Sequence, residues 1–205
     1  GIGIDSDAGV TFQEASLILY VKSYQASKPV TQIFYLRDSI QQNSDADGLV
    51  VIEAENYYKQ SIGAEYKWEH IFSIANSGNS AAIQALSKAN TETGNDSPRA
   101  DYCVNFVKTG THYLWVRGYK TCSSDDSCNM GLDGVMLASS DRICYFNSAN
   151  TWYWSNTTLD SYARATVEIG SPGEHTINLW MREAGFRVDQ IVVTSDPLYT
   201  PDLAV

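Results

Sequence analysis

The stretch Gly110-Thr-His-Tyr-Leu-Trp-Val-Arg-Gly-Tyr119 alternates with a period of two. Tyr113, Trp115, Arg117 and Tyr119 fall on one side of an extended chain, and Leu114 and Val116 on the other. Successive side chains of a strand point to opposite faces, so the segment reads as a strand. The same reading extends outward. Arg99 to Val107 sets Tyr102, Val104 and Phe106 on one face, and Glu174 to Met181 turns Ile177, Leu179 and Met181 inward. Ala163 to Ile169 and Phe186 to Thr194 are further strands. Asp133-Gly134 is a tight hairpin signal, and Ser171-Pro-Gly173 turns the chain. Ala81 to Lys88 is apolar enough for a short helix and equally suits a strand. Strands at this spacing predict an all-β, two-sheet antiparallel sandwich.

Composition agrees. The 205 residues include 13 Tyr and 5 Trp, and long helical periodicity is nearly absent. The net charge of −10, with no cluster of Lys and Arg, argues against a nucleic-acid partner and against an anionic membrane. No apolar run reaches the roughly 18 residues needed to span a bilayer. An acidic surface suits a neutral partner or a divalent cation. Residues 1–48 differ from the rest: Ala15 to Lys22 and Thr31 to Arg37 read as two strands, an N-terminal hairpin or the tail of a preceding module. Ser39 to Gly48 is polar and reads as a linker, so the main domain is expected over residues 49–205.

The four cysteines are Cys103, Cys122, Cys128 and Cys144. A polar loop bounded by Cys122 and Cys128 suggests a bridge in an oxidising compartment, with Cys103–Cys144 as the second pair. The alternative is small buried thiols. The disulfide reading places the protein outside the cell or in a periplasm. Zinc is not expected, because no paired Cys-x2-Cys motif or nearby His is present.

Several motifs resemble, in order, carbohydrate-binding modules of families 6 and 35. They are Val51-Ile-Glu-Ala-Glu-Asn-Tyr57, Ser77-Gly-Asn-Ser80, Ser97-Pro-Arg-Ala-Asp-Tyr102 and Gly110 to Gly118. Gly131-Leu-Asp-Gly134, Trp152-Tyr-Trp-Ser-Asn156, Gly173 to Trp180 and Gly185 to Val193 follow. The resemblance covers about residues 49–196 and leaves residues 1–48 outside it. It implies a jelly-roll sandwich with a structural calcium ion near the sheet edge. It also implies a sugar site in the loops at one end, or a second site on the concave sheet face.

Glu53 and Glu55 are two apart on the opening strand, where neighbouring carboxylates repel unless a cation joins them. Calcium takes six to eight oxygen ligands. In the family the two acids meet an Asp of the last strand, here Asp189, and a carbonyl near Asn79 or Ser80 would complete the shell. For sugar, an aromatic ring covers the C–H face of a pyranose. The family's stacking aromatic corresponds to Trp152, with Trp154 next. The family's sugar-contacting Asn corresponds to Arg187, which suggests a different ligand, an acidic sugar among the options. Arg182 and Glu183 either reach sugar or pair with each other. The family's second aromatic wall is missing, because Ala81 to Gln84 holds no aromatic; Tyr102 or Trp68 is the candidate replacement. On the concave face, Trp115, Arg117, Trp180 and Arg182 are the candidates.

No nucleophile elbow, phosphate loop or His-Glu-x-x-His motif is present. The expectation is a monomeric, non-catalytic module that binds oligo- or polysaccharide and is tethered to other modules of a secreted glycan-degrading enzyme. The competing readings are an adhesion module that has lost sugar binding and a small hydrolase or lyase.

Overall fold

The computed structural model describes residues 11–13, 16–25, 28–62, 66–72, 75, 77, 80–87 and 98–202. The first strands are β1 (Thr11–Gln13), β2 (Ser16–Gln25), β3 (Lys28–Phe34), β4 (Ile40–Gln41), β5 (Val50–Glu53) and β6 (Lys59–Ile62). Next come β7 (Tyr66–Phe72), β8 (Ala81–Ser87), β9 (Arg99–Phe106), β10 (Gly110–Tyr119), β11 (Cys128–Leu132) and β12 (Val135–Met136). The last are β13 (Ile143–Cys144), β14 (Trp152–Ser155), β15 (Thr157–Thr158), β16 (Thr166–Ile169), β17 (Gly173–Met181) and β18 (Arg187–Thr194). Among the described residues the one helical turn is the 3-10 turn Ala54–Asn56, and no helix is long and apolar enough to cross a membrane.

Two sheets hold these strands. The larger runs β1-β2-β3-β6-β9-β17-β11-β13-β15, with β12 on β11 and β4 parallel to β9. The smaller runs β14-β10-β18-β8-β7, with β16 on β10 and β5 on β18. The inner faces meet in one core. Leu114, Val116, Val188 and Ile191 come from the smaller sheet, and Val104, Ile177, Leu179 and Met181 from the larger; all are fully buried. On β9, β10 and β17 these are the inward positions of the alternating segments. The strand reading of Ala81 to Lys88 is the one the chain adopts, and Asp133 (φ 50°) and Gly134 (φ 82°) form the hairpin turn, both left-handed as a type I′ turn requires. At Gly118 a β-carbon would stand 2.5 Å from Phe186 Cζ, so this strand position approaches the core too closely for any side chain.

The segment 39–48 is not a loose linker. Gln42 is buried, and its amide donates to the Gly48 carbonyl. Its carbonyl accepts from the backbones of Val107 and Lys108. Asp47 O accepts from Ser195 N and Thr194 Oγ1. The polar residues that suggested a linker are the ones that stitch it to the sandwich. β3 pairs antiparallel with β6, so the N-terminal strands continue the edge of the larger sheet.

The expected disulfides are absent: all four cysteines stand as free thiols. Cys103 lies on β9 and Cys144 on β13, with β17 and β11 between them. Three inter-strand steps of about 4.8 Å put them roughly 14 Å apart, beyond the limit of about 7 Å for a bridge. Cys122 is exposed, whereas Cys128 is sealed in β11. Their loop is closed instead by Asp125, which accepts from Thr121 N, Thr121 Oγ1 and Cys122 N at 2.6–3.0 Å. Burial raises the Cys128 pKa and pushes Cys144 up to about 11, so both remain protonated at neutral pH.

Candidate functional site

The register of the smaller sheet lines up one row of side chains across five strands. Glu69 on β7 faces Gln84 on β8, Gln84 faces Arg187 on β18, Arg187 faces Tyr119 on β10, and Tyr119 faces Trp152 on β14. Directly opposed residues share a face, with neighbouring strands about 4.8 Å apart. All five are half-buried, so the row is neither core nor fully solvated. The Arg187 guanidinium lies 4.8 Å from the centre of the Tyr119 ring, and Tyr119 meets Trp152 edge-on at 5.3 Å. The Trp152 indole N–H donates to Ala75 O at 3.2 Å, which fixes the ring. Arg187 Nε is buried with no hydrogen-bond partner, and no ion pair to Arg187 occurs among the described residues. A cation held this way, between the Gln84 amide and the Tyr119 ring, suits a ligand that brings oxygen acceptors.

A second row lies beside it: Glu53, Gln190, Arg117 and Trp154. Between the rows the β10–β18 register shifts. Gly118 faces Val188 and Arg117 faces Gln190, which leaves Asp189 as the extra residue of a bulge. The bulge lets the fully buried Asp189 accept from Arg117 Nη1 at 2.5 Å. Gln190 Nε2 donates to Glu53 Oε1 at 2.7 Å.

Glu53 is the last residue of β5, and Glu55 belongs to the 3-10 turn that follows. The two acids are therefore not on one strand face; the turn begins between them. They remain close enough for their charges to interact. Burial raises the Glu53 pKa, as do the charges of Glu55 and Asp189, against the lowering effects of the Gln190 hydrogen bond and the Arg117 charge. Glu53 Oε2 is buried with no hydrogen-bond partner. That oxygen and the neighbouring Glu55 fit a hard cation in donor chemistry. Asp189 has Arg117 as its ion-pair partner. Among the described residues no three of His, Cys, Asp and Glu converge as a metal cluster, so most of a calcium shell would come from carbonyl or water oxygens. Ser80 is described and exposed; Asn79, the other carbonyl named from the sequence, lies outside the described residues.

The remaining candidates are placed elsewhere. Tyr102 is 1% exposed and its hydroxyl donates to Ala54 O at 2.7 Å. It is a core residue and not a wall of the site. Trp68 is likewise buried, with its indole N–H on Leu179 O, and Trp180 is buried in the larger sheet. Trp154 is 8% exposed and lies opposite Arg117 in the second row. Arg182 and Glu183 leave the Trp152 row. Arg182 Nη1 donates to Glu183 Oε1 at 2.7 Å, and Glu183 Oε2 accepts from Asp126 N and Ser127 Oγ at 2.8 Å each, so the pair braces the 121–127 loop. Tyr119, Gln84 and Glu69 were not singled out from the sequence. Tyr119 was legible as the last outward position of β10; the other two required the strand order.

Residues 44–200 match the family described as the glycosyl hydrolase family 115 C-terminal domain. The chain is 25% identical to the uncharacterized protein P23 of Formosa agariphila; the alignment covers 92% of this chain and 54% of that protein. The chain thus spans about half the length of the curated relative it matches. Among solved structures, a family 35 carbohydrate-binding module from Clostridium thermocellum superposes with a TM-score of 0.47 at 15% identity, covering 71% of this chain and 96% of the module. A family 6 module from Cellvibrio mixtus lichenase 5A, in complex with cellotriose, superposes with a TM-score of 0.47 at 14% identity and the same coverage.

Proposed function

The chain belongs to the glycosyl hydrolase family 115 C-terminal domain family, and from that premise we propose that it is a non-catalytic carbohydrate-binding module. The observation that supports this most is the row Gln84, Arg187, Tyr119 and Trp152. It offers aromatic surface for the C–H face of a sugar ring, with an amide and a guanidinium beside it for hydroxyl or carboxylate oxygens. Glu69 extends the row and can accept from hydroxyls. The ligand is an oligo- or polysaccharide, and the module is a monomer that tethers a larger secreted glycan-degrading enzyme to its substrate, raising the local substrate concentration. Neither nucleic acid nor a membrane is its partner. Among the described residues, Glu53 has Gln190 and Asp189 has Arg117 as partner, which suits a structural role for these carboxylates better than the acid–base pair of a glycosidase.

Binding is measured by a glycan array followed by calorimetry on the retained glycans. Trp152→Ala is expected to weaken binding about tenfold or more, the worth of one aromatic contact plus its buried area. Retention of no glycan of plant, algal or microbial origin would refute the assignment.

We also propose a structural calcium ion held by Glu53 and Glu55, next to the Arg117–Asp189 pair. Bound calcium would add positive charge to the Glu53 cluster beside that of Arg117. A ligand bound only by the folded state stabilises it, so chelation is expected to lower the melting temperature and calcium to restore it. An identical melting curve with and without chelator would show that Arg117 suffices.

A further inference from the structure

Six non-glycine residues among those described have left-handed backbone: Ser80, Asp133, Arg142, Tyr145, Asn150 and Tyr162. Asn and Asp tolerate this conformation; bulky side chains adopt it at a cost and persist there only where the surroundings enforce it. The three long side chains of the set, Arg142 (φ 44°), Tyr145 (φ 63°) and Tyr162 (φ 52°), gather at one place beyond the edge of the larger sheet. Tyr145 and Tyr162 lie ring to ring, 5.1 Å between centres and 30° between planes, and the nearness of Tyr162 pushes the Tyr145 pKa up to about 12. Tyr162 is 74% exposed, so the ring face turned away from Tyr145 is open to solvent.

The platform is pinned from below. Arg142 N donates to Asn129 Oδ1, Arg142 O accepts from Leu159 N, and the Arg142 guanidinium pairs with Asp160. Thr158 closes the short loop that carries Tyr162, with bonds to Ser161 Oγ and Ala163 O. Beside Tyr145 opens a pocket of about 190 Å³ lined by Lys120, Asp126, Asn147, Leu159 and Arg182. Its charges are balanced in pairs: Lys120 with Asp126 at 3.7 Å and Arg182 with Glu183 at 2.7 Å. A pocket of this size is smaller than the roughly 300–1,000 Å³ of drug-sized sites. It has room for one sugar ring.

We propose that Tyr145, Tyr162 and this pocket form a second saccharide site, separate from the Trp152 row, that takes a neutral pyranose unit. Strain at two tyrosines is not needed by the core. It is accounted for by holding two rings outward. An apolar wall at Leu159, an amide at Asn147 and internally neutralised charges favour an uncharged polyhydroxyl ligand over an anion or a cation. The chain between the sites is short: Lys120 follows Tyr119, Lys120 O accepts from Asn150 N, and Asn147 donates to Tyr153 OH next to Trp152. Two sites on neighbouring loops would let one polysaccharide chain engage both, with avidity above either alone.

This inference rests on the reading of the chain as a saccharide binder, and the test separates the two. The unmodified chain, Trp152→Ala, Tyr162→Gly and the double variant are run through native gels containing soluble xylan, laminarin, mannan or arabinogalactan. Glycine suits the backbone at position 162, so Tyr162→Gly is expected to melt at or above the temperature of the unmodified chain while its retention falls several-fold. The double variant is expected to run as in a gel without sugar, and Tyr162→Phe, which keeps the ring, to be retained as the unmodified chain is. Full retention of Tyr162→Gly in every gel that retards the unmodified chain, with loss in Trp152→Ala, overturns the second site and leaves the first. Loss in Tyr162→Gly alone upholds the second site and overturns the Trp152 row. No retardation of the unmodified chain in any gel overturns both.

Discussion

His112 shows how much a single buried residue constrains. It is fully buried, with Nε2 2.8 Å from Gln42 Nε2 and Nδ1 2.9 Å from Gly110 O. The Gln42 orientation is fixed because its Oε1 accepts two backbone N–H groups, so its nitrogen must donate to His112. His112 Nε2 therefore accepts, Nδ1–H donates to the carbonyl, and the ring is neutral. Burial lowers its pKa below the ordinary value of about 6.5. As pH falls through 6.5 the unfolded chain takes up a proton that the folded chain resists, so this contribution to stability is complete above about pH 6.5 and lost below it. His175 has the opposite sign: its bond to Asp133 raises the pKa, giving stability that is lost as pH rises. The melting temperature between pH 7 and pH 5 is expected to fall less steeply in His112→Asn than in the unmodified chain; equal slopes would place the acid sensitivity elsewhere. At this scale the family resemblance, not spacing, supplied the candidates. Trp152 and Arg187 were named from motifs and lie two strands apart in one row. Tyr102 was misplaced, although its parity with Val104 and Phe106 already marked it as core.

At the scale of the element, alternation was the dependable signal. The inward and outward positions of β9, β10 and β17 followed directly from period two. β8 was ambiguous because Ala-Ala-Ile-Gln-Ala-Leu packs equally well as one side of a helix or as a strand buried on both faces. What no local pattern contains is which strand lies beside which. Cys103 and Cys144 looked like partners by elimination, and two intervening strands separate them. Glu69 and Gln84 carry no local signal of a site, and the β7–β8 and β8–β18 registers bring them level with Arg187. The bulge at Asp189 belongs to the same class. One extra residue in β18 turns an acid that would face the core or the solvent into the partner of Arg117, and keeps Arg187 and Gln190 on a common face. Such a site is a property of strand order, which is why its residues are scattered along the chain.

For the whole molecule the question is where the sandwich begins. Composition placed the boundary at Leu49, since Ser39 to Gly48 has a linker's polarity, yet the family match starts at residue 44 and the hydrogen bonds begin earlier still. β4 adds to β9, Gln42 joins Gly48, Val107, Lys108 and His112, and Lys108 Nζ reaches back to Ala46 O at 2.9 Å. This segment ties the larger sheet (β9) to the smaller one (β10, β18) at one end of the sandwich. Replacing Gln42 by Ala leaves two backbone N–H groups, a carbonyl and an imidazole without their partner. At about 1–3 kcal/mol for each buried polar group that water does not reach, a loss of about 3 kcal/mol is expected, or roughly 10 °C in melting temperature for a domain of this size. A chain that starts at Leu49 loses the same bonds and β4 as well, so it should melt no higher than Gln42→Ala, whereas a chain that starts at Ser39 keeps them. Thermal unfolding of the three, followed by circular dichroism, places the boundary. Equal stability of the Leu49 and Ser39 chains would return residues 39–48 to the role of a tether, and the fold would then rest on the two sheets alone.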